Sequence, residues 1–326
     1  MSLKSVLKEI PGAKSSVQKL RWSTRIAKRK TLELRADNPE KICIVLAGYK
    51  RFTWNIFFDR LTHMIPADVH VCIASSGKYD QELSDMAHQN GWSYIATKKN
   101  NVSLLQNTVI ASFPTAKYIY KVDEDIFVTS GLFESMFAKM TQLQSSNSEV
   151  IPGLVAPLIP VNGFGYRRLL LKTGLLNAYE RLFGIAKMVA GDDQPIENNP
   201  DVAKFFWGGN DSPFPSIDIL ANQLGSSESQ FETCPIHFSI GCILFTRNIW
   251  QQMGGFPVGV GNAMGLDEIS LNTYCVLFSR PMIIDDNAIA GHLSFGTQNQ
   301  VMKDFYLGHP ENFSLAEEAS VESARK

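Results

Sequence analysis

The sequence predicts an α/β fold with a Rossmann-like, mostly parallel central sheet flanked by helices, followed by a more mixed second half. Two observations lead there. Between residues 41 and 128, short apolar runs rich in β-branched and aromatic residues alternate with segments of helical period. Each run is separated from the next by a helix-length stretch, the spacing that right-handed parallel crossovers require. The totals agree: 326 residues with 44% apolar and 19% charged content can bury a real core.

Residues 1–40 are read as a basic arm, with ten Lys/Arg against four Asp/Glu, a net of +6 that leaves −7 on the remaining 286 residues of a chain whose total is −1. Two readings stay open for it. Residues 1–35 could make peripheral contact with an anionic membrane surface, or they could form a solvated, partly helical arm. The apolar face around Trp22 and Ile26 is thin, which favours the arm. The overall charge argues against a nucleic-acid partner. Five cysteines, odd in number and without C-x-x-C spacing, fit a reducing compartment. No apolar run approaches the 18 residues of a spanning helix, and no signal-peptide core opens the chain. The expected location is cytoplasmic, at most peripheral at the inner face of the membrane.

From Lys41 to Ala47 the chain is continuously apolar, as a doubly buried strand should be. Gly48-Tyr49-Lys50-Arg51 follows, then a helix over about 53–64. Val69–Ala74 is the second strand, turned by Ser75-Ser76-Gly77. A helix over 79–90 ends at Asn90-Gly91, a C-cap pair. Residues 92–96 make a third strand. Asn100 and Asn101 precede a helix over about 102–112, which Pro114 stops.

Tyr118-Ile-Tyr-Lys-Val-Asp-Glu-Asp-Ile-Phe-Val128 is the fourth strand, and its apolar run breaks at Asp123-Glu124-Asp125. In a strand, residues i and i+2 face the same way. Asp123 and Asp125 should then project together, roughly 6.5–7 Å apart along the backbone. Two such carboxylates repel unless a cation or donor lies between them, and hard divalent cations take oxygen ligands plus substrate phosphates. An acidic turn after a strand is the plain alternative. Ligands of open α/β sheets bind at the carboxyl ends of the strands, where Gly48, Tyr49, Ser76, Asp123 and Asp125 all fall. Neither a G-x-G-x-x-G after the first strand nor a G-x-x-x-x-G-K-[ST] is present.

A helix over about 131–143 comes next. Leu154–Val161 reads as an edge strand because of its prolines. Residues 162–235 are irregular, with a helix over 166–183 and a polar, aromatic stretch holding Asp192-Asp193, Trp207-Gly-Gly and Gly225-Ser-Ser. The Asp192-Asp193 pair reads as a solvated loop. Ile236–Thr246 is a strong strand, followed by a helix over 247–253 and a Gly254-Gly255-Phe256-Pro257 turn. Asp267-Glu268 opens a helix running to about 278, where acids suit the positive end of the dipole. Residues 281–285 and 287–295 read as two extended pieces, the second carrying His292. From 310 to 326 the chain is a polar tail.

This order of motifs resembles the glycosyltransferases of the GT-A fold, over roughly residues 41–300. Four features carry the resemblance: the strand and loop ending in Ala47-Gly48-Tyr49-Lys50; the helix bearing Asn107; Asp123-Glu124-Asp125, similar to the family's DXD motif; and Gly254-Gly255-Phe256, then Asp267-Glu268, then His292. The resemblance implies one GT-A catalytic domain over 41–309. Residues 41–160 would be its nucleotide-sugar half and 161–309 its acceptor half, with an insertion at 162–235. It implies a nucleoside-diphosphate sugar donor, a carbohydrate or glycolipid acceptor, and a divalent metal. Asp123, Asp125 and His292 would hold the metal, Mn²⁺ in preference to Mg²⁺ because imidazole suits it better. Ala47, Gly48, Tyr49, Ser76, Asn107, Asp123 and Glu124 would lie around the nucleotide. Asp267 or Glu268 would be the base, deprotonating an acceptor hydroxyl within hydrogen-bond reach, and a base of that kind implies inversion. The family's acidic pair usually runs Glu-Asp and here runs Asp-Glu, which leaves the base open between the two. Two other classes remain: a nucleotidyltransferase that makes sugar nucleotides, for which Gly48-Tyr49-Lys50-Arg51 is a poor loop, and a non-catalytic sugar- or nucleotide-binding domain, against which the acids argue.

Overall fold

The computed structural model describes residues 30–145, 148–160, 163–189, 195–209, 212–259, 265–293 and 298–315. Most of the basic arm, the Asp192-Asp193 pair and the end of the tail lie outside them. The fold is mixed α/β, with mostly parallel strands flanked by helices. It divides into two compact units interleaved along the chain. The first takes described residues from 30–49, 67–123 and 244–280; the second takes 50–66, 124–243 and 281–315.

In the first unit, Lys41–Leu46 (β2), Val69–Ser76 (β3), Ser93–Thr97 (β4) and Tyr118–Asp123 (β5) are parallel in the order β4-β3-β2-β5. Their cores are buried on both faces, which is why they read as continuous apolar runs. Lys30–Glu33 (β1) pairs antiparallel with β4, so the end of the expected arm is an edge strand. Arg35 secures it, donating from its backbone N–H to Ser93 Oγ at 2.9 Å and from its guanidinium to the Trp92 carbonyl at 2.8 Å. Gln81–Gln89 (α2) and Val102–Ser112 (α3) are two of the crossovers. Asn101 caps α3 as its sequence position predicts, its Oδ1 accepting from Leu104 N–H at 2.8 Å. Leu266–Leu277 (α11) begins after Gly265, whose φ of 75° suits glycine.

The second unit is organised on one long strand, Met282–His292 (β10). The two expected pieces are continuous because a register shift between Asp285 and Ile289 absorbs the polar Asp286-Asn287 step. Leu154–Leu158 (β7) runs parallel to β10 and is buried throughout, unlike the exposed edge its prolines predict. Ile126–Val128 (β6) and Phe231–Thr233 (β8) run antiparallel to β10. The strand expected over 236–246 shortens to Cys242–Thr246 (β9). Trp54–Met64 (α1) buries Arg60, whose guanidinium donates to Asp218, to the Val128 carbonyl at 2.9 Å and to the Phe313 carbonyl at 3.2 Å.

The tail is anchored further than its polarity predicts. Phe313 is fully buried, 4.3 Å from the Trp207 ring and 4.8 Å from Tyr306 on Asn299–Gly308 (α12). Phe127 joins them at 5.3 Å, and each such ring pair adds about 0.5–1.5 kcal/mol beyond burial. Cys43, Cys72, Cys234, Cys242 and Cys275 are buried and behave as small hydrophobes. No helix among the described residues is long and apolar enough to cross a membrane.

Candidate active site

β5 ends at Asp123, and Glu124 and Asp125 form a turn before β6. The alternation of an unbroken strand therefore stops short of Asp125, and the expected side-by-side projection of Asp123 and Asp125 does not follow. Each acid has its own surroundings.

Asp125 belongs to the second unit and is 5% exposed. Its Oδ2 carries an ion pair with Lys50 Nζ and lies 3.3 Å from His292 Nε2. The backbone makes this meeting. In the β10–β6 ladder His292 stands opposite Ile126, and Leu293 N–H donates to the Asp125 carbonyl at 3.0 Å. Trp207 Nε1 donates to the His292 carbonyl at 3.1 Å, and its ring fills the space beside Gly291, where a Cβ would stand 2.1 Å from a ring carbon. Burial would raise the Asp125 carboxyl, but Lys50 and His292 outweigh it and hold the group well below the usual carboxylate range.

Glu124, expected around the nucleotide, stands in the turn between β5 and β6. It is turned inward, 6% exposed, with Oε1 accepting from Lys50 N–H at 2.8 Å and Oε2 from Trp54 Nε1 at 2.5 Å. Thr53 Oγ1 donates to its carbonyl at 2.7 Å. Its carboxylate ties residues 50–54 to the acidic turn.

Asp123 belongs to the first unit, where Lys121 Nζ reaches it at 2.8 Å. Lys121 is 4% exposed. Burial opposes its charge, yet Asp123, then Asp267, and also Glu268 raise its pKa. The ammonium thus pairs with the strand-end acid and feels the field of the later acidic pair. Sequence reading assigned Lys121 no role, although a lysine two residues before Asp123 in an apolar strand is a visible signal. Asp267 is buried at the start of α11 and accepts from Gln106 Nε2 at 2.6 Å, while Glu268 is half-buried.

The residues expected around the nucleotide divide. Ala47 N–H donates to the Ala74 carbonyl at 3.0 Å, and Ser75 Oγ donates to the Ala47 carbonyl at 3.0 Å. Gly48 takes a φ of 137°. Tyr49 is 63% exposed, its hydroxyl donates to the Ser76 carbonyl at 2.6 Å, and Lys78 Nζ lies 5.5 Å from its ring centre. Ser76 is buried and its Oγ accepts from Asn101 N–H at 2.7 Å. Asn107 is buried and bonded within the first unit. It accepts from Trp250 Nε1 at 2.8 Å and Phe256 N–H at 2.9 Å, and donates to the Phe256 carbonyl at 2.8 Å. It clamps the Gly254-Gly255 turn, whose φ values of 74° and 82° require glycine.

Of the expected metal set, Asp125 and His292 come together in one unit and Asp123 is held in the other. Among the described residues no three His, Cys, Asp or Glu side chains are grouped to hold a metal by themselves. The two that meet fit a cation completed by substrate oxygens. Two ligands bound cis to one octahedral ion at about 2.1 Å stand about 3 Å apart, close to the 3.3 Å between Asp125 Oδ2 and His292 Nε2.

No protein-family model matches the chain, and neither does any curated protein. Among solved structures it is similar to GalNAc-T7 with UDP, GalNAc and Mn²⁺, with a TM-score of 0.46 and 11% identity over 80% of this chain and 45% of that one. It is also similar to the mannosyltransferase PcManGT from Pyrobaculum calidifontis in complex with GDP-Man and Mn²⁺, at 0.45 and 13% over 89% and 68%. A third likeness, to a structure described as a mycobacterial protein, has a TM-score of 0.40 and 13% identity over 87% and 74%. The chain spans under half of the GalNAc-T7 chain.

Proposed function

We propose that this chain is a divalent-metal-dependent glycosyltransferase that moves a sugar from a nucleoside-diphosphate sugar to an acceptor hydroxyl. The contact between Asp125 and His292 carries the reading, at 3.3 Å across two segments far apart in sequence. A carboxylate and an imidazole together suit Mn²⁺ in preference to Mg²⁺. When bound, the cation neutralises charge that builds on the departing diphosphate. Phosphate oxygens and water would complete its ligands. Asp123, kept in place by Lys121, would take the ribose. Ala47, Gly48, Tyr49 and Ser76 would line the nucleotide, with the exposed Tyr49 ring available for stacking on the base.

Glu268 would be the base. It is the accessible member of its pair, whereas Asp267 is buried against Gln106 and would position the helix start. Glu268 would take the proton of the acceptor hydroxyl as that oxygen bonds to the anomeric carbon and the bond from that carbon to the diphosphate breaks, a single displacement that inverts the carbon. The acceptor would be a carbohydrate or glycolipid of surface polysaccharide or glycoconjugate synthesis. The setting would be cytoplasmic, with residues 1–35 available for peripheral membrane contact.

A thermal-shift panel of nucleoside diphosphates with and without Mn²⁺ tests this, since a ligand of the folded state raises its apparent stability. One nucleotide should raise Tm only with Mn²⁺, and Asp125→Ala should remove that gain. Turnover should release the nucleoside diphosphate; release of pyrophosphate would make the chain a nucleotidyltransferase. A folded protein that binds none of the panel overturns the proposal.

A further inference from the structure

Two basic groups converge on one carboxylate oxygen. Asp125 Oδ2 takes the Lys50 ammonium and faces His292 Nε2 at 3.3 Å. The root of Lys50 is fixed independently of its side chain. Its N–H donates to Glu124 Oε1 at 2.8 Å, and its carbonyl accepts from Thr53 N–H at 2.9 Å and Thr53 Oγ1 at 2.8 Å. Only the four-carbon stem is left to move, and its side chain is 21% exposed, against 6% for the Asp125 side chain. A second cation on Oδ2 would meet the ammonium at short range, where like charges repel strongly.

We propose that Lys50 is an exchangeable counter-ion of Asp125: its ammonium and a divalent cation compete for Oδ2, and the displaced ammonium then neutralises part of the diphosphate that the cation binds. This rests on the assignment of Asp125 and His292 to the metal. Lys50 therefore opposes binding of the metal alone and favours binding of the diphosphate once the metal is in place. Its removal should have two effects of opposite sign, which a loss of packing cannot produce.

Calorimetry of the full chain tests this, first with Mn²⁺ alone and then with UDP and GDP at saturating Mn²⁺. Lys50→Met and Lys50→Gln should bind Mn²⁺ roughly tenfold more tightly than wild type and the preferred diphosphate roughly tenfold more weakly. Lys50→Gln keeps an amide donor for Asp125 and guards against a Met variant that fails to fold. Lys50→Arg keeps the charge and should stay near wild type in both titrations. If wild type binds Mn²⁺ and the neutral variants bind it no more tightly, the exchange is overturned while the metal site stands. If the folded wild type and variants bind no Mn²⁺ with or without nucleotide, the metal assignment falls and takes the exchange with it.

Discussion

His292 Nε2 lies 3.3 Å from Asp125 Oδ2 because β10 runs antiparallel to β6 with His292 opposite Ile126. The ladder, rather than side-chain search, sets the spacing of the two groups. Trp207 finishes the arrangement by donating to the His292 carbonyl and packing its ring against Gly291.

Gly291→Ala tests that support. A Cβ there would stand 2.1 Å from one Trp207 ring carbon and 2.6 Å from another. Overpacking of this kind should cost roughly 3 kcal/mol and weaken Mn²⁺ binding together with stability. Urea unfolding beside a Mn²⁺ titration checks both; unchanged stability would show that the ring is not tightly held.

Glu268→Gln and Asp267→Asn separate the two acids. Loss of a general base should lower kcat by about 10²–10⁴-fold for Glu268→Gln with little change in donor KM. Asp267→Asn should act on stability instead, by about 1 kcal/mol through the Gln106 hydrogen bond. Steady-state kinetics with both variants decides, and a larger kcat loss for Asp267→Asn would exchange the roles.

Lys121→Met removes the ammonium that pairs with Asp123 and is favoured by the charges of Asp267 and Glu268. Leaving half-buried Asp123 and buried Asp267 without this charge should cost roughly 2 kcal/mol. Lys121→Arg should recover part of it. Denaturant unfolding of the pair at one pH provides the comparison, and equal stability of Lys121→Met and wild type would count against the cluster.

Asp285 gives a pH dependence. Burial pushes its carboxyl above the ordinary value of 3.8, and neighbouring Asp286 adds to the rise. Between the unfolded and folded pKa values the folded state binds more protons, so this group's contribution to stability falls as pH rises through that window. Asp285→Asn keeps an acceptor for Ser135, whose hydroxyl donates to Asp285 Oδ2 at 2.6 Å. Its stability relative to wild type should therefore improve from pH 4 towards neutrality and then level off. Unfolding curves at several pH values check the sign.

Much of the first unit was legible in the sequence. β2, β3, β4 and β5 are buried on both faces and leave continuous apolar runs, and Asn101 caps α3 where its position predicts. The later strands were less legible for physical reasons. β10 crosses its polar Asp286-Asn287 step through a register shift, which breaks the apolar pattern of one continuous strand. β1 has few buried residues and is held by hydrogen bonds and Arg35, so it reads as basic arm. At the site, the acids and His292 were legible as residue types in order. Their partners were not, because Lys50, Lys121 and Gln106 act through long-range contacts that no local period records. The internal hydrogen bonds of Asn107 and Glu124 were likewise hidden, since their partners Phe256, Trp250, Lys50 and Trp54 lie far off in sequence.

Pulsed electron paramagnetic resonance of Mn²⁺ bound with the preferred nucleoside diphosphate tests the central claim most directly. Nitrogen coupling from one imidazole should appear in the wild-type protein and vanish in His292→Asn while Mn²⁺ stays bound through the phosphates. Bound Mn²⁺ without imidazole coupling in wild type, or coupling that survives His292→Asn, would contradict it.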